Sequence, residues 1–305
     1  MRNYNEVTPV SITRILAELA AADEPVIINR SIVYGRGTFA CVYQGILKST
    51  NEFVAVKEVK FNNKSDFERQ KCEKEAAILK KLNARSPKSV IPFIGAYENI
   101  NKDSFYFILP QMVNGQLTEW LHDENVMNST RQLDTTLCIT EGMKYIHGKN
   151  VIHRDFKAEN VLFDANFKPV IIDFGLSTRI GIDKVTKDIA GSPAYLSPEL
   201  LTAAIKHISI AEVLTKKVDI YSLALVIWQI FAREADLFCQ FNNIFELEEF
   251  VAEENGRPTL PAEKDCPKEI AKLITWGWAQ NPHDRPTAAR VEAEVRKYAS
   301  TLLAK

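Results

Sequence analysis

Residues 151–175 read VIHRDFKAENVLFDANFKPVIIDFG, and this stretch decides how the rest of the chain is interpreted. Its two short apolar runs, VLF and VII, are typical of buried strands. They place Asp155 and Asp173 at strand ends beside a buried core, which is a less solvated position than an ordinary turn, and Asn160 lies on the same loop as Asp155. Carboxylate and amide oxygens are hard ligands for a divalent cation. Phosphoryl transfer needs such a cation together with a group that orients the nucleophile, so the stretch predicts a phosphoryl-transfer centre.

The motifs HRDFKAEN and DFG resemble the catalytic and metal loops of the eukaryotic protein kinases. The resemblance implies that Asp155 accepts the proton of the acceptor hydroxyl and that Lys157 reaches the transferring phosphoryl group. It makes Asn160 and Asp173 the metal ligands. Each tripeptide alone is weak, but the two motifs stand thirteen residues apart, from Asn160 to Asp173, with apolar runs between them.

A glycine-rich turn and a following strand point to the nucleotide site. SIVYGRGTFACVYQGIL contains Gly35 and Gly37, which allow close approach of backbone amides to phosphates, with Ala40 where a third glycine is common. EFVAVKEVK then places Lys57 where a kinase carries its phosphate-binding lysine. Tyr34 replaces the more usual aliphatic residue of the family.

The helical segment SDFERQKCEKEAAILKKL places Glu75 on its apolar side, three residues after Cys72 and four before Leu79. An acid on that face needs a partner, and the resemblance names Lys57. Such a pair would hold the lysine against the α- and β-phosphates. The alternative is a solvated glutamate in a charged helix.

The segment PQMVNGQL resembles the kinase hinge, with Leu109 at the back of the adenine pocket. Pro110 keeps its carbonyl and loses only its N–H, so the amide donor to adenine would be Met112. With the catalytic set Asp155, Lys157, Lys57 and Glu75, the predicted nucleotide-binding residues are Tyr34, Gly35, Gly37, Thr38, Phe39, Val42, Ala55, Lys57, Leu109, Pro110, Met112 and Leu162.

Residues 173–199 look like an activation segment. Ser192 stands where Ser/Thr kinases carry a hydroxyl that bonds the catalytic aspartate and lysine, which favours Ser or Thr as acceptor. Candidate phosphorylation sites are Ser177, Thr178 and Thr186, since a phosphate there would pair with Arg154 and order the loop, and our hypothesis favours Thr186. Further on, Asp219 would anchor the catalytic-loop backbone, and Arg285 would pair with Glu199.

Composition sets the wider limits. With 46% hydrophobic and 25% charged residues, the 305-residue chain can bury a large core. A net charge of −1 gives no support for binding nucleic acid or membranes. Five cysteines without a CxxC pair fit reduced thiols and a cytoplasmic location. The apolar run 220–232 is too short for a comfortable membrane span and predicts a buried helix.

The resemblance covers about residues 28–300 and implies an α+β, bilobal protein kinase fold. We expect an N-lobe at 28–110 with an antiparallel β-sheet and one main helix, a hinge at 110–115 and a mostly α-helical C-lobe at 116–303. Residues 1–27 precede this kinase domain as a leader helix, because apolar residues in TPVSITRILAELAAA share one helical face. QLTEWLHD is also expected to be helical.

The predicted activity is a protein serine/threonine kinase that uses ATP with Mg²⁺ or Mn²⁺, bound between the lobes. Within the superfamily, FIGAY, HRDFK and DIYSLALVIWQIFAR look most like the tyrosine-kinase-like group, especially type II receptors for activin and related TGF-β ligands. Expected partners are a protein substrate and either an upstream activating kinase or a second copy that phosphorylates in trans, with no membrane span.

Two alternatives remain open at this point. A pseudokinase would use the fold as a nucleotide-binding scaffold, and Tyr34, Ala40, Pro110 and Ser197 all depart from the common pattern. A small-molecule phosphotransferase shares the aspartate and asparagine loop but would not be expected to carry the SPE and RPT elements. Metalloprotease, zinc-module and hydrolase motifs are absent from the sequence.

Overall fold

A computed structural model describes residues 24–37, 40–61, 66–83, 89–99, 102–183 and 191–303. The expected leader helix, Thr38, Phe39 and Thr186 therefore lie outside the described residues. The chain divides into two compact units. The first comprises residues up to Ala76 together with Pro92–Gln111, and the second comprises Ala77–Ile91 together with the chain from Met112 onward.

The first unit is built on a sheet that, in the described part of the chain, has five antiparallel strands in the order β1-β2-β3-β5-β4. Alternating and β-branched sequences such as FVAVKEVK favour these strands. Their bounds are β1 (Val26–Arg36), β2 (Ala40–Leu47), β3 (Phe53–Lys60), β4 (Gly95–Asn99) and β5 (Ser104–Pro110). Helix α1 (Asp66–Asn83) follows β3, and the boundary between the two units falls within it.

The two faces of this sheet carry different residues because side chains alternate along each strand. One face holds a core cluster of Val26, Val54, Val56, Tyr106 and Ile108, each at most 3% exposed. The other face carries Lys57, which lies opposite Val42 on β2 and Phe107 on β5. Because side chains alternate between the two faces, the residues that stabilise the sheet lie on one face and those predicted to bind the nucleotide lie on the other.

The second unit is mainly helical. Its helices are α2 (Ser129–Gly148), α3 (Pro198–Ile205), α4 (Ile210–Val213), α5 (Lys216–Ala232), α6 (Ile244–Glu248), α7 (Lys268–Gly277) and α8 (Ala288–Leu303). Helix α5 is buried along almost its whole length, from Val218 to Phe231, as its apolar sequence predicts. In the described part of the chain, no helix is both long and apolar enough to cross a membrane.

Two short strand pairs carry the loops of interest in the second unit. Strand β6 (Val151–Ile152) pairs with β9 (Thr178–Arg179), and β7 (Val161–Phe163) pairs with β8 (Pro169–Ile171). The two apolar runs of the decisive stretch are therefore β7 and, in most of its length, β8. These pairings fix the chain on both sides of each polar loop.

The expected helix at QLTEWLHD is wrong, because only a 3₁₀ turn at Leu117–Glu119 forms there. Gln116 is bridged to Leu162, and the backbone N–H of Gln116 donates to the Glu119 carboxylate. The indole N–H of Trp120 donates to the Asn114 carbonyl at 2.6 Å. These contacts hold the segment against β7 and stop the helix after one turn.

Candidate active site

One buried carboxylate anchors the backbone of the predicted catalytic loop, which carries Asp155 in the second unit. Asp219 on α5 is 1% exposed and accepts hydrogen bonds from the backbone N–H of His153 at 2.8 Å and of Arg154 at 2.9 Å. The imidazole Nε2 of His147 lies 2.8 Å from the same carboxylate. Burial alone would raise the pKa of Asp219, but its hydrogen bonds, with the His147 side chain first and the Arg154 backbone N–H among the others, outweigh burial and lower the pKa.

This anchor allows Arg154 to adopt a backbone conformation that few non-glycine residues take. Its φ is 71°, in the left-handed region, and Asp173 has a φ of 61°. Hydrogen bonds from the surroundings therefore fix both loops at the points where they turn. The Ser177 hydroxyl adds to this by donating to the His153 carbonyl at 3.1 Å. The anchoring role predicted for Asp219 is confirmed, while the part played by His147 and Ser177 was not predicted.

Asp155, Lys157 and Ser192 form one hydrogen-bonded group. Ser192 donates to Asp155 Oδ1 through its backbone N–H at 3.0 Å and through its hydroxyl at 3.2 Å. Lys157 Nζ donates to the Ser192 hydroxyl at 2.7 Å and lies 3.6 Å from Asp155 Oδ2. The predicted contacts of Ser192 with both residues are confirmed. A carboxylate with a neighbouring cation is thus set at the end of the loop.

Asn160 is oriented by the same loop. Its side-chain Nδ2 donates to the Asp155 carbonyl at 2.8 Å and lies 3.3 Å from Asp155 Oδ2. Because the amide nitrogen is engaged in this way, the amide oxygen is the atom that remains for a cation. The backbone carbonyl of Asn160 accepts from Ile172 N at 2.9 Å, which ties this loop to the residue before Asp173.

The side-chain oxygens of Asn160 and Asp173 are of the kind that Mg²⁺ prefers as ligands. Magnesium is typically held by one or two carboxylates, with water and substrate phosphates completing its shell. In the described residues, no cluster of three or more His, Cys, Asp or Glu side chains suits a metal. An oxygen-only pair, Asp173 and Asn160, therefore matches a hard cation carried in with phosphate better than a resident metal cage.

In the first unit, Lys57 and Glu75 form the ion pair that the helical pattern and the kinase resemblance together predict. Lys57 Nζ lies 2.8 Å from Glu75 Oε1, and the two side chains are 16% and 8% exposed. The same ammonium lies 5.5 Å from the ring centroid of Phe107. The pair joins β3 to α1 and fixes the lysine on the face of the sheet described above.

Four of the predicted nucleotide-binding residues share that face. In antiparallel strands, residues directly opposite each other project to the same side. Val42 lies opposite Lys57, and Ala55 lies opposite Leu109. A Cβ built at Gly35 meets no atom within 4 Å, so packing inside the protein does not require glycine there. Gly37 N donates to the Ala40 carbonyl at 2.8 Å.

The remaining members of the predicted set occupy strand ends and the connection between the units. Pro110 ends β5 opposite Val54, Met112 follows in the second unit, and Leu162 is the middle residue of β7. Tyr34 lies near the end of β1 and accepts a hydrogen bond from Gln44.

The described part of the activation segment disfavours two of the candidate phosphorylation sites. Ser177 and Thr178 are 0% and 2% exposed, and the Ser177 hydroxyl is already hydrogen-bonded. Both hydroxyls are therefore inaccessible in this structure. Nearby, the guanidinium of Arg179 is paired with Asp183 at 2.6 Å.

At the end of the activation segment, the predicted pair of Glu199 with Arg285 is confirmed. Both guanidinium terminal nitrogens lie 2.7 Å from the carboxylate oxygens. The remaining N–H groups of Arg285 donate to the carbonyls of Ala279, Lys217 and Gln280. Five donors are thus satisfied, which is the full set that arginine has.

Two polar groups of the structure were missed in the sequence. Arg30 forms a two-fold hydrogen bond with Glu58, which also accepts from the Tyr106 hydroxyl at 2.8 Å. Glu58 shares the apolar face of β3 with Val56, and an acid on that face is the signal that could have revealed the group. Arg257 bonds several carbonyls of the second unit, and no periodicity in its loop points to it.

Comparison with known proteins agrees with this geometry. Residues 29–295 match the protein kinase domain model. The chain is 30% identical over 279 residues to the dual specificity protein kinase shkA of Dictyostelium discoideum, covering 88% of this chain and 49% of that protein. It is 31% identical over 289 residues to the probable serine/threonine-protein kinase drkC of the same organism, covering 92% and 34%. It is 30% identical over 272 residues to the serine/threonine/tyrosine-protein kinase HT1 of Arabidopsis thaliana, covering 87% and 65%.

The chain thus spans about half or less of the two Dictyostelium relatives and about two thirds of the plant one. The matched region runs from β1 through most of α8 and includes the catalytic loop, the metal loop and the Lys57–Glu75 pair. From the order of these motifs, the geometry they adopt and the family match, the chain belongs to the protein kinase domain family.

Proposed function

We propose that this chain is a protein serine/threonine kinase that moves the γ-phosphoryl group of ATP to Ser or Thr hydroxyls of a protein substrate. The observation that carries the proposal is the hydrogen-bonded group of Asp155, Lys157 and Ser192. Relatives named as serine/threonine or dual-specificity kinases support the same reaction. A pseudokinase is not favoured, since each polar group that the chemistry requires is present.

Asp155 takes the role of base. Its carboxylate is fixed by two donors from Ser192, so it can accept the proton of the acceptor hydroxyl without reorganising. The new bond forms between that hydroxyl oxygen and the γ-phosphorus, while the bond from the γ-phosphorus to the β–γ bridging oxygen breaks. Lys157, 2.7 Å from the Ser192 hydroxyl, places a positive charge beside the transferring group.

Charge on the phosphates is stabilised by Lys57, by the cation and by the glycine-rich turn. Lys57 contacts the α- and β-phosphates while Glu75 holds its ammonium in place. Asn160 and Asp173 hold Mg²⁺ through their side-chain oxygens. When bound, the cation neutralises phosphate charge and orients the γ-phosphoryl group. Gly35 and Gly37 approach the phosphates through their backbone, as a glycine-rich turn allows.

The adenine end is assigned to the residues on the Lys57 face of the sheet and to the hinge. Val42, Ala55 and Leu109 supply apolar contacts. The Pro110 carbonyl and the Met112 N–H supply the two hydrogen bonds. Of the other predicted contacts, we retain Tyr34 and Leu162 together with Thr38 and Phe39.

Regulation and subgroup form the finer part of the proposal. Thr186 would be phosphorylated by an upstream kinase or by a second copy in trans. The phosphate group on Thr186 would then pair with the Arg154 guanidinium. Within the described residues, the Arg154 side chain has no ion-pair partner, and burial lowers its pKa.

We place the chain in the tyrosine-kinase-like group near type II activin-type receptors, on HRDFK, FIGAY and the twenty residues from Glu199 to Asp219. Residues 28–303 would form the kinase domain, preceded by a leader at 1–27, in the cytoplasm.

The test is incorporation of labelled phosphate from Mg²⁺-ATP into the protein itself and into a generic Ser/Thr substrate, beside Asp155→Asn. We expect incorporation that disappears in the variant, with the label on phosphoserine or phosphothreonine. Nucleotide binding without transfer, even after treatment with an activating kinase, would contradict the proposal and favour a scaffold. Label on sugars or other small molecules alone would also contradict it.

A further inference from the structure

We propose that residues 234–254 of the second unit, named here the acidic segment, form a docking surface for a basic and apolar stretch of the protein substrate. Phe245 is the residue that anchors this stretch. The proposal rests on the proposed function, because it concerns the substrate of the same reaction. The docked stretch would lie outside the residues that surround the acceptor hydroxyl.

The charge of the acidic segment is the first observation. Residues 234–254 read EADLFCQFNNIFELEEFVAEE, with seven Asp or Glu and no Lys or Arg, whereas the whole chain has a net charge of −1. Within the part of the chain that the structure describes, Glu253 alone of the seven has an ion-pair partner, which is Lys206 at 3.1 Å. Glu249 and Glu254 are exposed. The acidic segment therefore presents negative charge that the described residues do not neutralise.

Phe245 presents an exposed aromatic ring among these charges. Its side chain is 65% exposed, the highest fraction among the large apolar side chains of the described residues. The Asn243 side chain accepts from the backbone N–H of Phe245 at 2.9 Å and of Glu246 at 3.0 Å, which fixes the start of α6. Phe245 and Glu249 are four residues apart in the helix, so they lie on the same side of it. An apolar centre with a charged rim is typical of a protein-binding surface.

The rest of the acidic segment is firmly packed. The ring centroids of Phe241 and Phe250 lie 5.0 Å apart, and those of Phe238 and Phe250 lie 6.0 Å apart. A Cβ at Gly256 would lie 2.4 Å from the Phe250 ring, so the chain passes close to this ring. Helix α6 continues into a π-helical turn at Glu249–Glu253, a rare form that is frequent at functional sites. The exposed ring is thus part of an ordered surface, and little ordering is needed on binding.

Hydrogen bonds connect the acidic segment to the predicted acceptor site. Gln229 on α5 donates from Nε2 to the Ala235 carbonyl at 2.7 Å and accepts from the Tyr195 hydroxyl at 2.9 Å. Tyr195 N donates to the Ser192 carbonyl at 2.9 Å, and Ser192 N donates to Asp155. The acidic segment is therefore joined through one side chain to the loop that holds the proposed base. This connection favours the substrate as the occupant.

The chemistry of the occupant follows from complementarity. Lys and Arg side chains would meet the exposed carboxylates, which speeds association and disfavours acidic partners. A large apolar side chain would cover Phe245, since aromatic anchors contribute much of the binding energy of an interface. A second copy that used the same surface would bring two acidic segments together, and like charges disfavour that contact.

The experiment selects displayed random short peptides for binding to the full chain and measures dissociation constants of the enriched peptides by fluorescence anisotropy. We expect enriched peptides to combine Lys or Arg with large apolar residues. Phe245→Ser should weaken their binding about tenfold or more, as loss of an anchor residue does. Glu249→Lys should weaken it too, and the difference from wild type should narrow at high salt, because salt screens exposed charges.

A second measurement tests whether the docked stretch belongs to the substrate. An enriched peptide is joined through a flexible Gly-Ser linker to a short peptide that the chain phosphorylates. The joined peptide should have a KM about tenfold lower at unchanged kcat, because docking raises the local concentration of the acceptor. Phe245→Ser should abolish this gain and leave the kinetics of the unlinked peptide unchanged.

Two variants of α8 serve as matched controls. Leu302→Ser replaces another exposed apolar residue of the second unit, which is 45% exposed. Glu294→Lys reverses a charge whose ion pair with Arg290 lies at the surface. Both variants should bind the enriched peptides as wild type does.

Several outcomes would overturn the proposal. Selection that enriches no peptide, or only acidic or uncharged ones, would do so, and so would equal binding by wild type and Phe245→Ser. Phosphorylation of the unlinked peptide with no gain on linking would refute the docking surface alone. A chain that phosphorylates neither peptide nor protein, even after treatment with an activating kinase, would refute the proposed function itself.

Discussion

Two ion pairs, one in each unit, look alike in the sequence and differ in the structure. Arg285–Glu199 lies in the second unit with side chains 0% and 12% exposed. Lys57–Glu75 lies in the first unit with side chains 16% and 8% exposed. Both link residues that are far apart in the chain, and both were predicted from motifs. Burial alone therefore does not tell a structural pair from a functional one.

The chemical nature and the surroundings of the two cations do tell the pairs apart. All five N–H donors of Arg285 are satisfied by Glu199 and three backbone carbonyls, so this guanidinium has no capacity to bind a ligand. Lys57 has three donors on a compact ammonium and meets Glu75 through one carboxylate oxygen at 2.8 Å. In the proposed function, this ammonium lies on the face of the sheet that is assigned to the nucleotide. We therefore propose that the first pair is a scaffold element and that the second positions Lys57 for the nucleotide.

The largest effect should follow from breaking the scaffold pair. Arg285→Leu leaves Glu199 and several carbonyls buried without their partner, so the free energy of unfolding should fall by about 3 to 5 kcal/mol. Urea unfolding followed by circular dichroism measures it. Arg290→Leu is the matched control, because its pair with Glu294 on α8 is 63% and 30% exposed and should contribute less than about 1 kcal/mol. Equal losses in the two variants would refute the scaffold role.

Removal of the other cation should instead affect catalysis. We expect Lys57→Met to lower kcat/KM for ATP at least about 100-fold, as loss of a preorganised charge does, which corresponds to about 2.7 kcal/mol. Its free energy of unfolding should fall less than that of Arg285→Leu, which also leaves three backbone carbonyls without their donor. Steady-state phosphorylation kinetics and thermal unfolding on one preparation check both statements. A variant that keeps its activity would show that Lys57 does not contact the phosphates.

A smaller effect is expected at Glu58, on the opposite face of the same sheet. Burial would raise the pKa of Glu58, but hydrogen bonds from Arg30 and Tyr106 lower it below its ordinary value of 4.5. The stabilisation is therefore complete above pH 4.5 and is lost as the pH falls through the lowered pKa. Tyr106→Phe should cost about 1.5 kcal/mol at pH 7 and less in acid. A cost that does not change with pH would contradict this assignment.

The smallest effect concerns Cys72, one turn before Glu75 on α1. Burial raises the pKa of the Cys72 thiol to about 12, and the charge of Glu75 adds to the increase. Cys239 is exposed. At pH 8, alkylation followed by peptide mass spectrometry should label Cys239 long before Cys72. If the ion pair positions Lys57 and does not support the packing of α1, Cys72 should remain protected in Glu75→Gln; rapid labelling there would show that the helix depends on the pair.

Sequence patterns predicted the sheet, α1, α2 and the buried α5, because long periodic or uniformly apolar segments leave few alternatives. The contacts of Asp219, Ser192 and Glu75 were predicted through the resemblance to the protein kinases, whose motifs assign a partner to each of these residues. The helix at QLTEWLHD was wrong because the pairing of Gln116 with Leu162 overrides local propensity.

Other features depend on contacts that no local pattern encodes. The Arg30–Glu58–Tyr106 group joins three strands, so it becomes visible only when the register of β1, β3 and β5 is known. The register shift of β1 between Val33 and Gly35 is likewise a property of strand pairing. The burial of Ser177 and Thr178 follows from the β6–β9 pair and removes two candidate phosphorylation sites.

The most direct measurement compares Glu75→Gln with Glu199→Gln. Each variant replaces the acid of one pair by its neutral isostere, and the ATP dissociation constant and the free energy of unfolding are measured on the same samples. We predict that Glu75→Gln loses ATP affinity at nearly unchanged stability, whereas Glu199→Gln loses stability and, while folded, binds ATP as wild type does. Equal ATP affinities in the two variants, or a loss of stability in Glu75→Gln as large as that in Glu199→Gln, would contradict the distinction between a positioning pair and a scaffold pair.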